Sequence, residues 1–267
     1  MRFITGGVGF FDSGIGGLTV LHACRKRLPN TVFYYLGDNA RAPYGNLPTS
    51  TIRQYTYEAF SLFQTLGVQA VVVACNTVTA VCIEEMRGLF SFPIIGTEPA
   101  VFPAMQTGGR IGVLTTRATG GSARFLRLIE TSKRKSGNPK CIPLICSELA
   151  KAVEIHLKDS QFDYAPYLPK ANVDGIVLGC THYVFIKKQI ERHYGCPAWD
   201  GNDGIARRLK NVIKEQEDKG VNDYDLPPVL RLRLPFCALT DREENSPIFF
   251  FGGQKEHNKR IYEQMFV

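Results

Sequence analysis

The chain has 267 residues, of which 44% are hydrophobic and 21% charged, and it carries a formal net charge of +7. That composition belongs to a globular protein with its own core and excludes the fibrous and disordered classes, while its apolar runs are too short to span a bilayer. The first residues, MRFITGGVGFFDSG, hold no sustained apolar stretch and no small-residue cleavage site, so a cytoplasmic protein is expected.

In chain order, short apolar runs predict strands at Val8–Phe11, Val32–Leu36, Ala70–Ala74, Pro93–Ile95, Ile111–Leu114, Ile142–Ile145, Gly175–Leu178 and Ile248–Phe251. Between the second and third, STIRQYTYEAFSLFQTLG sets Ile52, Tyr55, Ala59, Phe63 and Leu66 on one helical face, with Thr49 or Ser50 as cap and Gly67 as stop. NDGIARRLKNVIKEQEDKG, at 202–220, repeats the layout from an Asp cap to a terminal Gly. Strands alternating with helices predict an α/β fold with mainly parallel sheets. Two similar α/β lobes facing across a central cleft are expected, with the turn between them in PIIGTEPAVFP at 93–103. One lobe would comprise 1–96 and 206–267, the other 97–205. A single larger sheet with two unrelated strand-to-helix turns satisfies the same spacing.

The basic residues cluster in CRKRL, SKRKSGNPK, IKKQIERH and ARRLKNVIK, the second read as a loop and the others as helix. With no nucleic-acid motif present, a solvated basic face that steers small anions is the simpler reading, and no nucleic-acid partner is expected. The eight cysteines are scattered with no C-x-x-C pair, which argues against structural zinc and a dithiol redox site; most read as reduced and buried.

Two of those cysteines recur in matched settings. AVVVACNTVTA at 70–80 and DGIVLGCTHYV at 174–184 each run from an apolar strand through a cysteine into a polar pair, Asn76–Thr77 or Thr181–His182, and on into helix-like sequence. In an open α/β sheet, ligands bind beyond the carboxyl ends of the strands, where Cys75 and Cys180 both fall. A helix N-terminus there offers free N–H groups to carboxylates and is expected to lower a thiol's pKa. Either cysteine alone reads as a small core residue; the pair reads as function. His182 places a proton carrier two residues from Cys180, whereas His22, His156, His193 and His257 lack such a context.

A third strand end, FFDSGIGG, brings Asp12 and Ser13 into a glycine turn ahead of a helix beginning near Leu18. It lacks the last glycine of G-x-G-x-x-G, no G-x-x-x-x-G-K-[ST] occurs elsewhere, and the turn reads as room for a small ligand. Asp12 alone would serve equally as a helix cap. Matched thiols suggest inversion at a carbon centre. One group removes a proton from one face, the other returns a proton to the opposite face, and reversal exchanges their roles without a redox step.

With FDSGIGGLTVL at 11–21, YYLGDNARAPYGN at 34–46, VACNT at 73–77, GCTHY at 179–183 and WDGNDGIARRL at 199–209 in this order, the chain resembles glutamate racemases of the aspartate/glutamate racemase superfamily. The resemblance implies cofactor-independent interconversion of L- and D-glutamate, supplying D-glutamate for peptidoglycan, in a two-lobed homodimer. It makes Cys75 and Cys180 the acid/base thiols, assisted by Asp12 and His182 respectively. Substrate contacts would come from Asp12, Ser13, Tyr44, Gly45, Asn76, Thr77, Thr181 and His182. LTTRATGGS resembles the family's G-T-x-A-T segment and adds Thr116 and Thr119, and CSELAKAVE aligns with a segment ending in a glutamate, which nominates Glu154. Val78, Thr115, Ser147, Lys151 and Val184 depart from the family's usual residues. Racemisation of another amino acid such as aspartate, or a non-catalytic regulatory role such as DNA gyrase binding, are the alternatives.

Overall fold

Strand and helix alternate along most of the chain in the computed structural model, which describes residues 6–137, 139–218, 236–239, 248–251 and 254–267. From the amino end come β1 (Val8–Asp12), α1 (Gly17–Arg27), β2 (Phe33–Gly37), α2 (Thr49–Thr65), β3 (Ala70–Val73), α3 (Asn76–Leu89) and β4 (Ile94–Gly96). Next are α4 (Val101–Met105), β5 (Arg110–Thr115), α5 (Arg117–Gly120), α6 (Ala123–Lys135), β6 (Lys140–Ile145), α7 (Leu149–His156), β7 (Gly175–Gly179), α8 (Lys187–Tyr194) and β8 (Ala198–Trp199). Finally α9 (Asn202–Asp218), β9 (Phe236–Leu239), β10 (Ile248–Phe251) and α10 (Lys255–Phe266) return to the first half.

These strands form two sheets, ordered β4-β3-β1-β2-β10-β9 and β6-β5-β7-β8. Every pairing is parallel except β9 against β10. The fold is therefore α/β with two lobes. Parallel strands covered on both faces need apolar side chains at every position, and β3, Ala-Val-Val-Val, is buried throughout. Alternate residues serve opposite cores. Phe10, Phe33, Val72 and Phe250 pack with α1, α9 and α10, whereas Phe11, Tyr34, Val73 and Phe251 pack with α2 and α3. In the second sheet Leu114 and Leu178 face α7 and α8, while Val113 and Val177 face α4 and α6.

The eight expected strands are present, Ile248–Phe251 as expected and the other seven with ends shifted by one or two residues. The two-residue β8 and the antiparallel β9 were not expected. Helix α2 begins at Thr49 with Pro48 in the cap position and no side-chain cap bond, and Gly67 follows its end at φ +62°, a left-handed conformation that favours glycine. Asp203 lies inside the first turn of α9, and Asp200 accepts the Asn202 N–H instead. Gly220 lies outside the described residues. Ser132–Lys135, read as loop, form the last turn of α6. The side chains of Cys24, Cys75, Cys82, Cys141, Cys146, Cys180 and Cys196 are free thiols, and that of Cys237 lies outside the described residues. Among the described residues, no helix is long and apolar enough to cross a membrane.

Candidate active site

The turns after strands β1 and β7, and those after β3 and β5, meet through side-chain contacts, and these strand ends hold most of the candidate residues. Asp12 closes β1 and is fully buried. Its Oδ1 accepts the Gly14 N–H at 2.8 Å, so it pins the glycine turn rather than capping α1, whose cap position is Gly16. Its Oδ2 accepts the Thr181 hydroxyl at 3.2 Å and so links the first lobe to the second.

Beyond β3, Cys75 occupies the cap position of α3, and its sulfur is 3.5 Å from the Ser13 hydroxyl. Asn76 donates to the Thr97 carbonyl at 3.2 Å. Thr77 meets the hydroxyls of Thr116 and Thr119 at 3.0 and 3.4 Å, and Thr116 and Thr119 are 3.1 Å apart. These three hydroxyls join α3 to the turn after β5.

Beyond β7, Cys180 is followed by a short 3-10 turn, Thr181–Val184, not by the expected α-helix, which starts only at Lys187. The Cys180 sulfur lies 3.6 Å from His182 Nδ1, and His182 Nε2 lies 2.6 Å from Glu154 Oε1. Glu154, on α7, also accepts the Ile15 N–H at 2.9 Å. A carboxylate, an imidazole and a thiol thus form a relay whose far end is held by the first lobe's glycine turn.

Of the remaining candidates, Tyr44 is buried in the same core cluster as Cys75 and donates its hydroxyl to Asp38. Gly45 lets the chain approach Thr116, since a Cβ there would lie 2.7 Å from the Thr116 Cβ. The structure thus joins the named residues through contacts on both lobes. The pattern missed Tyr35, whose hydroxyl donates to the Gly14 carbonyl at 2.7 Å, and the Ile15 amide. Nothing in FYYLG marks one tyrosine for the site, and a backbone donor leaves no trace in residue type.

The glycine turn also lies directly against the second lobe. A Cβ on Gly14 would lie 1.7 Å from Glu154 Oε1, and one on Gly16 would lie 2.3 Å from Thr181 Oγ1. The glycines therefore allow the second lobe to close onto the turn. Gly14→Ala is expected to displace Glu154, cost about 1–3 kcal/mol of stability, and lower activity at least tenfold. Chemical denaturation and progress curves on the same preparation check both.

Burial governs the titrations here. Cys75 is pushed up to about 12 by burial and by the neighbouring Asp12 charge, against the lowering contact from Ser13; the expected lowering at the helix N-terminus is outweighed. The Cys180 charge also raises it, so the two sulfurs sense one another. Burial raises Asp12 to about 6, against the lowering pull of His182 and the Gly14 amide. For His182, burial disfavours the cation, but Glu154 and Cys180 together hold its pKa well above the ordinary value. Burial works against the Glu154 carboxylate, yet His182 and the Ile15 amide keep its pKa below the ordinary value. A His182 cation between a carboxylate and a sulfur follows.

A cavity of about 550 Å³, lined by Ile95, Glu98, Trp199 and Arg207 among others, contains neither thiol. It offers no Cys, His, Ser or Thr for proton transfer. Among the described residues, no three His, Cys, Asp or Glu side chains converge to hold a metal ion.

Residues 19–209 match the family described as Asp/Glu/Hydantoin racemase. The chain belongs to that family and is an isomerase. It is 36% identical over 222 residues to a glutamate racemase of Clostridium botulinum, covering 78% of this chain and 83% of that one. Among solved structures, Escherichia coli glutamate racemase in complex with L-glutamate and the activator UDP-MurNAc-ala superposes with a TM-score of 0.71 at 28% identity, covering 79% of this chain and 83% of that one. Glutamate racemase from Thermus thermophilus, in complex with beta-chloro-D-alanine, gives 0.73 at 27% identity, covering 98% and 94%.

Proposed function

We propose that this chain interconverts L- and D-glutamate without a cofactor, by proton transfer between two opposed thiols. The observation that carries the reading is that Cys75 and Cys180, at the ends of strands in two separate sheets, lie on either side of the buried Asp12–Thr181 contact, near enough for the charge of Cys180 to be felt at Cys75. With its pKa raised, Cys75 enters as a neutral thiol and serves as the acid on one face. Cys180 first takes the α-proton from the other face, with His182 at its side as the proton carrier, and Cys75 then gives its own proton to the freed electron pair on the carbon. In the reverse direction the roles exchange. Asp12 keeps negative charge beside Cys75 and so favours the neutral thiol that must donate, and Glu154 fixes the His182 ring.

Removing an α-proton builds charge on the substrate that fixed donors must meet. The amino end of α3, with Asn76 and Thr77, and the hydroxyls of Thr116, Thr119 and Thr181 are suited to the two substrate carboxylates. Ser13, Tyr44 and Gly45 shape the wall on the Cys75 side. The same reading divides the lobes as 1–96 with 206–267 and 97–205, and it places the enzyme as a cytoplasmic homodimer supplying D-glutamate for peptidoglycan.

Incubating the purified chain with each enantiomer of glutamate and of aspartate in deuterated water, with no cofactor added, tests this. Inversion of glutamate with deuterium entering mainly the product is the expected result. Equal labelling of recovered substrate and product points to one shared base and overturns the two-thiol step. Inversion of aspartate alone overturns the substrate.

A further inference from the structure

Arg124 stands near the start of α6 in the second lobe, yet both ends of its guanidinium reach other parts of the molecule. Nη1 lies 2.5 Å from Glu84 Oε1, midway along α3 in the first lobe. Nη2 lies 2.6 Å from Glu98 Oε1, on the link that joins the two sheets. Glu84 also takes Arg87 at 2.9 Å, so four charges form one cluster. A small void lined by Asn76, Thr97 and Thr119 also touches Arg124. The cluster therefore adjoins the proposed substrate residues but makes no contact with the thiols.

The two thiols are 5% and 8% exposed, so a substrate reaches them only when the lobes part. Parting separates α3, which begins at the first thiol, from the segment that carries Thr116, Thr119 and Arg124. The Thr77–Thr116 contact spans this boundary at its buried end, and the Arg124 fork spans it at the solvent side, where the Arg124 side chain is 24% exposed.

We propose that Arg124 is a positioning residue that clasps α3 and the link to α6 and so sets the closed spacing of the lobes, opening each time substrate enters or leaves. The proposal rests on the racemase reading above. A planar fork can hold two carboxylates at once where an ammonium holds a point, and a partly exposed pair is screened by salt. If closure stays favourable in the substrate complex, loosening the clasp raises KM while kcat holds. Because enantiomers are equal in free energy, kcat/KM must fall by the same factor in both directions.

The test compares the full wild-type chain with Arg124→Gln, Arg124→Lys and, as a control, Arg110→Gln, whose partner Asp174 lies in the same lobe. Arg124→Gln is expected to raise KM for both enantiomers about fivefold with kcat changed less than about twofold. Arg124→Lys should recover part of the loss. Raising salt from about 0.1 to about 0.5 M should raise KM in wild type and in Arg110→Gln, and leave Arg124→Gln unmoved. Alkylation of Cys75 and Cys180, followed by peptide mass spectrometry, reads opening without substrate. It should run about fivefold faster in Arg124→Gln, and salt should accelerate it in wild type. Equal alkylation rates in wild type and Arg124→Gln overturn the clasp whether or not the chain racemises glutamate. Failure of wild type to invert glutamate while the alkylation difference stands overturns the assigned reaction alone.

Discussion

Cys75→Ala and Cys180→Ala are each expected to lower net inversion of glutamate by about 10²–10⁴-fold, in both directions alike. A racemase must address two faces of one carbon, and each thiol serves one. Removing either leaves a group that can take a proton and return it only to the face it came from. The double variant should lose no more than about what each single loses, because the thiols act as a unit. Loss by unfolding would look the same in an activity assay, so circular dichroism and a melting curve belong beside it. Each change removes one sulfur from a buried site and leaves the backbone geometry allowed. Optical rotation or coupled assay of D-glutamate reads the rate, and full activity in either variant ends the mechanism.

Asp12→Asn is expected to stabilise the fold at neutral pH while removing most of the activity. The carboxyl has an ordinary value of 3.8 and is raised to about 6 in the folded chain, chiefly by burial. Between those values the folded chain holds a proton that the unfolded chain has released. Stability therefore falls as pH climbs from about 4 to about 6, and the full deficit remains above that. Asparagine carries no such charge and can still accept the Gly14 N–H. The variant should gain about 1–3 kcal/mol at pH 7, and the gain should vanish below about pH 4. Urea unfolding at both pH values measures it. A variant less stable than wild type at pH 7 would mean that the carboxylate is held by more than it costs. Loss of activity is expected because the charge beside Cys75 favours the neutral thiol that must donate.

Much of the fold was legible because parallel strands buried on both faces announce themselves. AVVV and IFFF read as strands without help from their neighbours, and both lie inside the first sheet. β8 escaped because two residues make no pattern, and β9 because an antiparallel edge strand breaks the alternation. Of the candidate site, Cys75, Cys180 and Asp12 were singled out from strand ends before any resemblance was invoked. Glu154 was reached only through the family resemblance. It contacts Ile15, which lies 139 residues away, and no local pattern ties a helix carboxylate to a distant turn. The titration of Cys75 was read with the wrong sign from its helix position, since the depth of burial belongs to the assembled lobes and not to the segment.

The second sheet is drawn from one unbroken stretch, β5 to β8, whereas the first must wait for β10 to reach the free side of β2. On the ribosome the later-made half can finish before the earlier one. Until the last residues emerge, β2 offers bare peptide groups, and the Phe33 and Tyr35 side lacks α10. Nascent chains stalled before residue 248 should therefore clump or draw chaperones.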